Sequence, residues 1–181
     1  MKNYFLIILI SLIPFFTQAQ TSDSTGRFGF TVNSGMNTEL SPIRIVPGIT
    51  YFKGNSQLEL GFGIHPFIQK DQKILSTELN YKYYPNGVEN KFNMYLIAHF
   101  SYAHNSRDTY YPTTYNYLFL NGGYGFEINA SKDVYLGTNV NIGTHTFSKK
   151  NESPANMLIS NDLFDEFGVN FGAQVNIGYR F

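Results

Sequence analysis

From Phe167 to Phe181 the chain reads FGVNFGAQVNIGYRF. Every second position is apolar or aromatic: Phe167, Val169, Phe171, Ala173, Val175, Ile177, Tyr179 and Phe181. Between them stand Gly168, Asn170, Gly172, Gln174, Asn176, Gly178 and Arg180, none of them apolar. A β-strand turns successive side chains to opposite faces, so a period of two gives a strand with one wholly apolar face.

The same period recurs upstream. Val134, Leu136, Thr138, Val140 and Ile142 alternate with Tyr135, Gly137, Asn139, Asn141 and Gly143. Leu118 to Ile128, Phe92 to Tyr102, Leu75 to Tyr83 and Leu58 to Ile64 repeat it, with Gly, Asn, Ser, His, Glu and Lys between the apolar positions. Two weaker segments come first: Phe28, Phe30 and Val32 against Gly29, Thr31 and Asn33, then Ile45, Ile49 and Tyr51 against Arg44, Gly48 and Thr50. The expected fold is therefore all-β with eight strands.

A soluble sandwich or barrel turns its polar face outward and draws on Lys, Glu and Thr for it. Here the polar face is mainly Gly and Asn, which weaken strands and add little solubility. A crowded interior accounts for them, because a small closed barrel leaves little room for inward side chains. The apolar face is then outermost, where lipid stabilises it, and strands of about ten residues have the length to cross a tilted bilayer path. Connections expected at 53–57, 85–91 and 129–133 are short, while 105–114 and 148–165 on the other side are longer, the outer-membrane asymmetry. The connection at 69–73 breaks that rule. Aromatics gather at strand ends, as interfacial belts do: Tyr51, Phe52, Tyr81, Tyr83, Tyr84, Tyr179 and Phe181 at one end, and Tyr102, Tyr110, Tyr111, Tyr115, Tyr117 and Phe147 at the other.

The chain of 181 residues begins with Lys2, an apolar run from Tyr4 to Phe16, and Thr17-Gln18-Ala19. That is the pattern of a secretory signal peptide, here 1–19, with the barrel domain at 20–181. The run is shorter than a membrane-spanning helix needs and contains Pro14. Acidic and basic residues balance at 13 each, so no net field recruits nucleic acid. The absence of cysteine excludes disulfides, Cys-ligated metals, thiol catalysis and a lipoprotein anchor.

The signal-peptide pattern, eight alternating segments and the ending Gly178-Tyr179-Arg180-Phe181 together resemble the small outer-membrane β-barrels of the OmpX and OmpA-domain type. The junction Ala19-Gln20 and the many Asn and Tyr residues look more like the PorT-like barrels of Bacteroidota. The resemblance implies an antiparallel up-and-down transmembrane barrel in the cell outer membrane, a monomer contacting lipid and lipopolysaccharide. It also implies that the barrel-assembly machinery reads the last strand through Phe181.

Inside such a barrel, side chains fill the lumen rather than leave a channel. The parity places Arg27, Arg44, Glu59, Glu78, Lys82, Glu127, Glu166 and Arg180 inward. Arg27, Glu59, Lys82, Glu127 and Arg180 fall in one half and are expected to pair as a plug, because an unpaired buried ion costs several kcal/mol. A proton or ion path is the competing reading of those charges. Hairpin arithmetic brings His65, Glu78 and His99 together, either as a hydrogen-bonded cluster or as ligands of a divalent metal. No cofactor or resident metal is expected. One enzyme reading arises: some outer-membrane barrels deacylate lipid A with a His-x-Ser pair, and His99-Phe100-Ser101 and His104-Asn105-Ser106 both have that spacing, the second at the outer rim and so the better candidate. The last outer loop carries Met157, Leu158, Ile159 and Phe164, which with Tyr110 and Tyr111 form the expected contact surface for an extracellular partner. The expected role is structural, adhesive or surface-binding. The alternatives are a lipid A-modifying enzyme and a soluble ligand-binding barrel.

Overall fold

The computed structural model describes residues 26–181 apart from 41–42, 69, 109, 111 and 152–160. The expected signal peptide, Tyr111, Met157, Leu158 and Ile159 lie outside the described residues. Eight strands follow one another: β1 (Arg27–Asn37), β2 (Arg44–Lys53), β3 (Ser56–Ile64), β4 (Gln72–Tyr83), β5 (Phe92–Arg107), β6 (Thr113–Asn129), β7 (Val134–Asn151) and β8 (Phe167–Arg180). Each pairs antiparallel with the next, and β1 pairs with β8, so the sheet closes into a barrel with no free edge.

The alternation is realised residue by residue, and its sense is inverted relative to a soluble fold. Phe62, Leu75, Met94, Leu120, Tyr124, Val169 and Val175 point outward and are 60–63% exposed. Gln57, Glu59, Glu78, Asn80, Lys82, Asn93, His99 and Glu127 point inward and are 0–1% exposed. Charged and amide side chains are seldom buried so completely, and never in such number without partners.

Closure explains the glycines. Tyr95 on β5 stands opposite Gly125 on β6, and Tyr135 on β7 opposite Gly178 on β8. A Cβ at Gly178 would sit 2.1 Å from Cζ of Tyr135, and one at Gly125 2.3 Å from Cζ of Tyr95. Each ring lies across the bare backbone of its neighbour, so small and large inward residues alternate around the wall. Gly54 has a different role: with φ at 58° it closes the tight turn between β2 and β3.

One end of the barrel carries the connections 54–55, 84–91 and 130–133, together with Arg27 and Phe181. The other carries 38–43, 65–71, 108–112 and 152–166. Half of the expected loop at 105–114 is strand, because β5 runs to Arg107 and β6 begins at Thr113. These long strands outreach their neighbour: residues 147–151 of β7 pair with β6 beyond the start of β8.

The expected aromatic belts are only partly on the outside. Tyr51, Tyr81, Tyr83, Tyr179 and Phe181 face outward, whereas Phe52 and Tyr84 are buried in the lumen. At the far end, Tyr115, Tyr117 and Phe147 share the inward face of Phe119 and stack there with ring centroids 5.8–6.2 Å apart. Parity decides this: odd positions of β6 and β7 point inward whatever their chemistry.

Candidate functional site

The lumen is the most elaborated polar region of the described chain. Its buried charges are Arg44, Glu59, Glu78, Lys82, Glu127 and Arg180, three of each sign. They form three pairs. Lys82 Nζ lies 3.0 Å from Glu59 Oε2, Arg44 Nε lies 2.6 Å from Glu78 Oε1, and Arg180 pairs with Glu127.

Neutral side chains join the pairs of the lower half. Gln57 donates to Glu59 at 3.3 Å, and Asn80 donates to the same carboxylate at 3.0 Å. Asn33 also donates to Glu59. The Tyr84 hydroxyl lies 2.7 Å from Gln57 Oε1 and 2.9 Å from Glu127 Oε2, sharing its proton between them. Burial, reinforced by the Glu127 carboxylate, holds the Tyr84 phenol well above its usual range, so it acts as a donor. The Arg180 guanidinium lies over two rings set edge to face, Phe52 at 4.6 Å and Tyr135 at 4.2 Å. Beneath it opens a cavity of about 450 Å³, lined by Arg27, Phe52, Lys91, Asn129, Lys132 and Arg180 among others.

Higher up, a relay of amides crosses the lumen. Asn121 donates to Asn141 at 3.0 Å, Asn141 to Asn139 at 3.1 Å, and Asn139 to Gln174 at 3.3 Å. Gln174 then donates to Glu78 at 3.1 Å, tying β8 to β4 across the barrel. Such links join polar side chains of four strands to one another within the lumen.

The expected five-residue charge cluster is present without Arg27. Its side chain is 63% exposed at the strand end and lies 3.9 Å from Glu89 in the loop 84–91. It has inward parity, but it stands at the mouth, where water reaches it. Glu166 likewise precedes β8 and is exposed.

The expected convergence of His65, Glu78 and His99 does not form. Glu78 stands opposite Gly61 and Ser101, and its carboxylate is taken by Arg44 and Gln174. His99 stands opposite Asn80, bonds its Oδ1 at 2.5 Å, and reaches Ser101 at 3.1 Å. Ile64 pairs with Leu75, which sets His65 at the level of Ile74, away from Glu78. No group of three metal-ligating side chains occurs among the described residues. The hairpin is longer than the arithmetic assumed, since its connection runs from 65 to 71.

A second polar site lies on the outside, at the far end of β5 and β6. His104 and Ser106 face outward, half-buried. His104 Nδ1 lies 2.8 Å from Asn116 Oδ1, which also accepts the Tyr102 hydroxyl at 2.7 Å. Asn116 Nδ2 donates to Ser148 Oγ at 3.2 Å. An amide, not a carboxylate, therefore orients the imidazole. Of the expected contact surface, Tyr110 is 90% and Phe164 62% exposed. Phe164 has φ at 80°, and its amide donates to Thr146 at 2.9 Å.

Sequence reasoning missed Gln57, Tyr84, Asn116 and Gln174. Gln174 has legible inward parity, whereas Gln57 falls in the expected connection 53–57, Tyr84 in the expected aromatic belt and Asn116 before the expected strand 118–128; the partners of all four lie on other strands.

No protein-family model matches this chain. No curated protein matches it in sequence. Solved structures do. The N-terminal β-barrel domain of Pseudomonas aeruginosa OprF is similar with a TM-score of 0.61 at 12% identity, over 86% of this chain and 97% of that one. The de novo designed barrel TMB2.3 gives 0.51 at 20% identity, over 89% and 98%. Neisserial surface protein A gives 0.46 at 12% identity, over 86% and 96%. At these identities the likeness concerns the fold: an eight-stranded barrel of the small outer-membrane type.

Proposed function

We propose that the protein is a monomeric outer-membrane β-barrel that closes its own lumen and presents its long-stranded end to the exterior. The observation that carries this reading is the inverted surface. Leu120, Val140, Ile142, Val175 and Ile177 are exposed outward, while the charges and amides are sealed inside. Water would favour the opposite arrangement, and a hydrocarbon surround favours this one. The fold's likeness to the OprF barrel domain supports the location.

The end bearing Arg27, Phe181 and the turn 54–55 then faces the periplasm. β8, with its outward Val175, Ile177, Tyr179 and Phe181, is the segment offered to the barrel-assembly machinery. Three neutralised ion pairs and the contacts of Arg180 with the Phe52 and Tyr135 rings make the lumen a strut rather than a pore. The role we assign is structural or adhesive, with recognition at the outer rim and loops; an amide, Asn116, stands where a catalytic triad would orient His104 with a carboxylate. Lipid A mass spectra from cells with and without the protein are expected to be the same.

Epitope insertion tests the orientation. A tag within 152–166 should bind antibody on intact cells, and a tag at 54–55 only after the outer membrane is permeabilised. The reverse result, or tags reached only in the soluble periplasmic fraction, would overturn the reading.

A further inference from the structure

The outward face of β4–β7 changes character abruptly near its far end. Cross-strand partners define rows around the wall. Leu79, Phe100, Leu120 and Thr144 form one row, and Thr77, Tyr102, Leu118 and Thr146 the next. Above them lie Leu75, His104, Asn116 and Ser148, then Lys73, Ser106, Thr114 and Lys150. Successive rows are two residues apart, about 7 Å along a strand. Over three such steps, about 20 Å, the outer surface passes from apolar through hydrogen-bonding to cationic.

We infer that this rim is a binding site for a phosphorylated glycolipid of the outer leaflet. This rests on the outer-membrane reading above. The middle row is organised before any ligand arrives, since Asn116 joins Tyr102, His104 and Ser148 in one network. Tyr102, His104 and Asn116 are half-buried on the outside of the barrel, and Ser148 is buried; polar side chains on that face call for a polar layer beside them, because hydrocarbon offers no partners. Sugar hydroxyls supply that layer, donating and accepting at the same positions.

The upper row supplies charge. Lys73 and Lys150 flank Ser106 and Thr114, with three strand spacings between them, about 14 Å. Both lysines are exposed, and neither takes part in an ion pair among the described residues. A sugar headgroup carrying anionic phosphate at both ends fits between them, while its acyl chains run down over Leu79, Phe100 and Leu120. A simple phospholipid has one phosphate and little to offer the Asn116 network.

The test uses the mature barrel folded in detergent micelles and native mass spectrometry. The probes are bis-phosphorylated lipid A, the same lipid A dephosphorylated, and phosphatidylglycerol. Lipid A with both phosphates should be retained at least tenfold more tightly than either other probe. Lys73→Ala with Lys150→Ala should abolish that preference, and Asn116→Leu should weaken lipid A binding several-fold. Equal retention of phosphatidylglycerol, or lysine variants that bind lipid A like wild type, would overturn the inference. Mobility of unboiled protein in SDS is measured alongside. A folded barrel indifferent to lipid A sinks this site alone, whereas a wild-type chain without a folded form sinks the outer-membrane reading itself.

Discussion

Glu59 shows how the interior is built at the scale of one residue. Lys82, Gln57, Asn33 and Asn80 all address its carboxylate. Removing Lys82 leaves a buried anion with only neutral donors, and breaking such a pair from one side costs about 3–5 kcal/mol. Lys82→Met should therefore lower stability by that order in urea unfolding from detergent, and Lys82→Met with Glu59→Leu should restore most of it. Tyr84 is a second pivot, because its hydroxyl links Gln57 to Glu127. Its elevated pKa means that the folded chain keeps a proton that the unfolded chain releases near pH 10. The native state then binds more protons than the unfolded one, so stability falls as pH rises above about 10. Tyr84→Phe should flatten part of that fall while costing about 1–3 kcal/mol at neutral pH. Parity in the sequence was enough to place Glu59, Lys82, Glu127 and Arg180 inward. It could not exclude Arg27, since only the end of β1 decides whether an inward position is covered. Nor could it locate His65, whose level depends on the length of the connection 65–71.

At the scale of the strands, the glycines are the readable signature of closure. Sequence alternation identified all eight strands and suggested that Gly and Asn line a tight interior. The structure supplies the pairing rule, with Tyr95 over Gly125 and Tyr135 over Gly178. Gly178→Val should disrupt the wall, because its side chain would enter the Tyr135 ring and displace it from Arg180. Reduced folding yield in detergent is the expected result, with partial recovery in Gly178→Val combined with Tyr135→Ala. Loop lengths were less legible than strands. Polar residues such as Asn105, Thr114 and Ser148 look like loop in a linear reading, yet they sit on strands that continue past the apolar band. Strand ends that leave a membrane lose the apolar half of their alternation, and with it the signal that marks them. The expectation of a lipid belt at Tyr115, Tyr117 and Phe147 fails for a related reason, because aromatic character does not override the inward parity of those positions.

For the whole molecule, the decisive property is which side of the wall meets lipid. Leu120 stands near the middle of the apolar face and is 63% exposed. Arginine at the midplane of a lipid-facing strand costs about 2–4 kcal/mol, whereas at an exposed position of a soluble protein the effect stays within about 0.5 kcal/mol. Leu120→Arg should therefore be strongly destabilising in a bilayer. A lumen closed by three ion pairs should also pass no current, and planar-bilayer recordings should show no conductance steps. The inverted surface was legible in the composition of the alternating faces, and the closed ring of pairings from β1 to β8 gives it a physical form. The most direct measurement is electrophoretic mobility in SDS of the outer-membrane fraction, with and without boiling. The account predicts a compact species that shifts to the mobility of the unfolded chain on heating. A chain recovered from the soluble periplasm, with one mobility at both temperatures and no need of detergent, would contradict it.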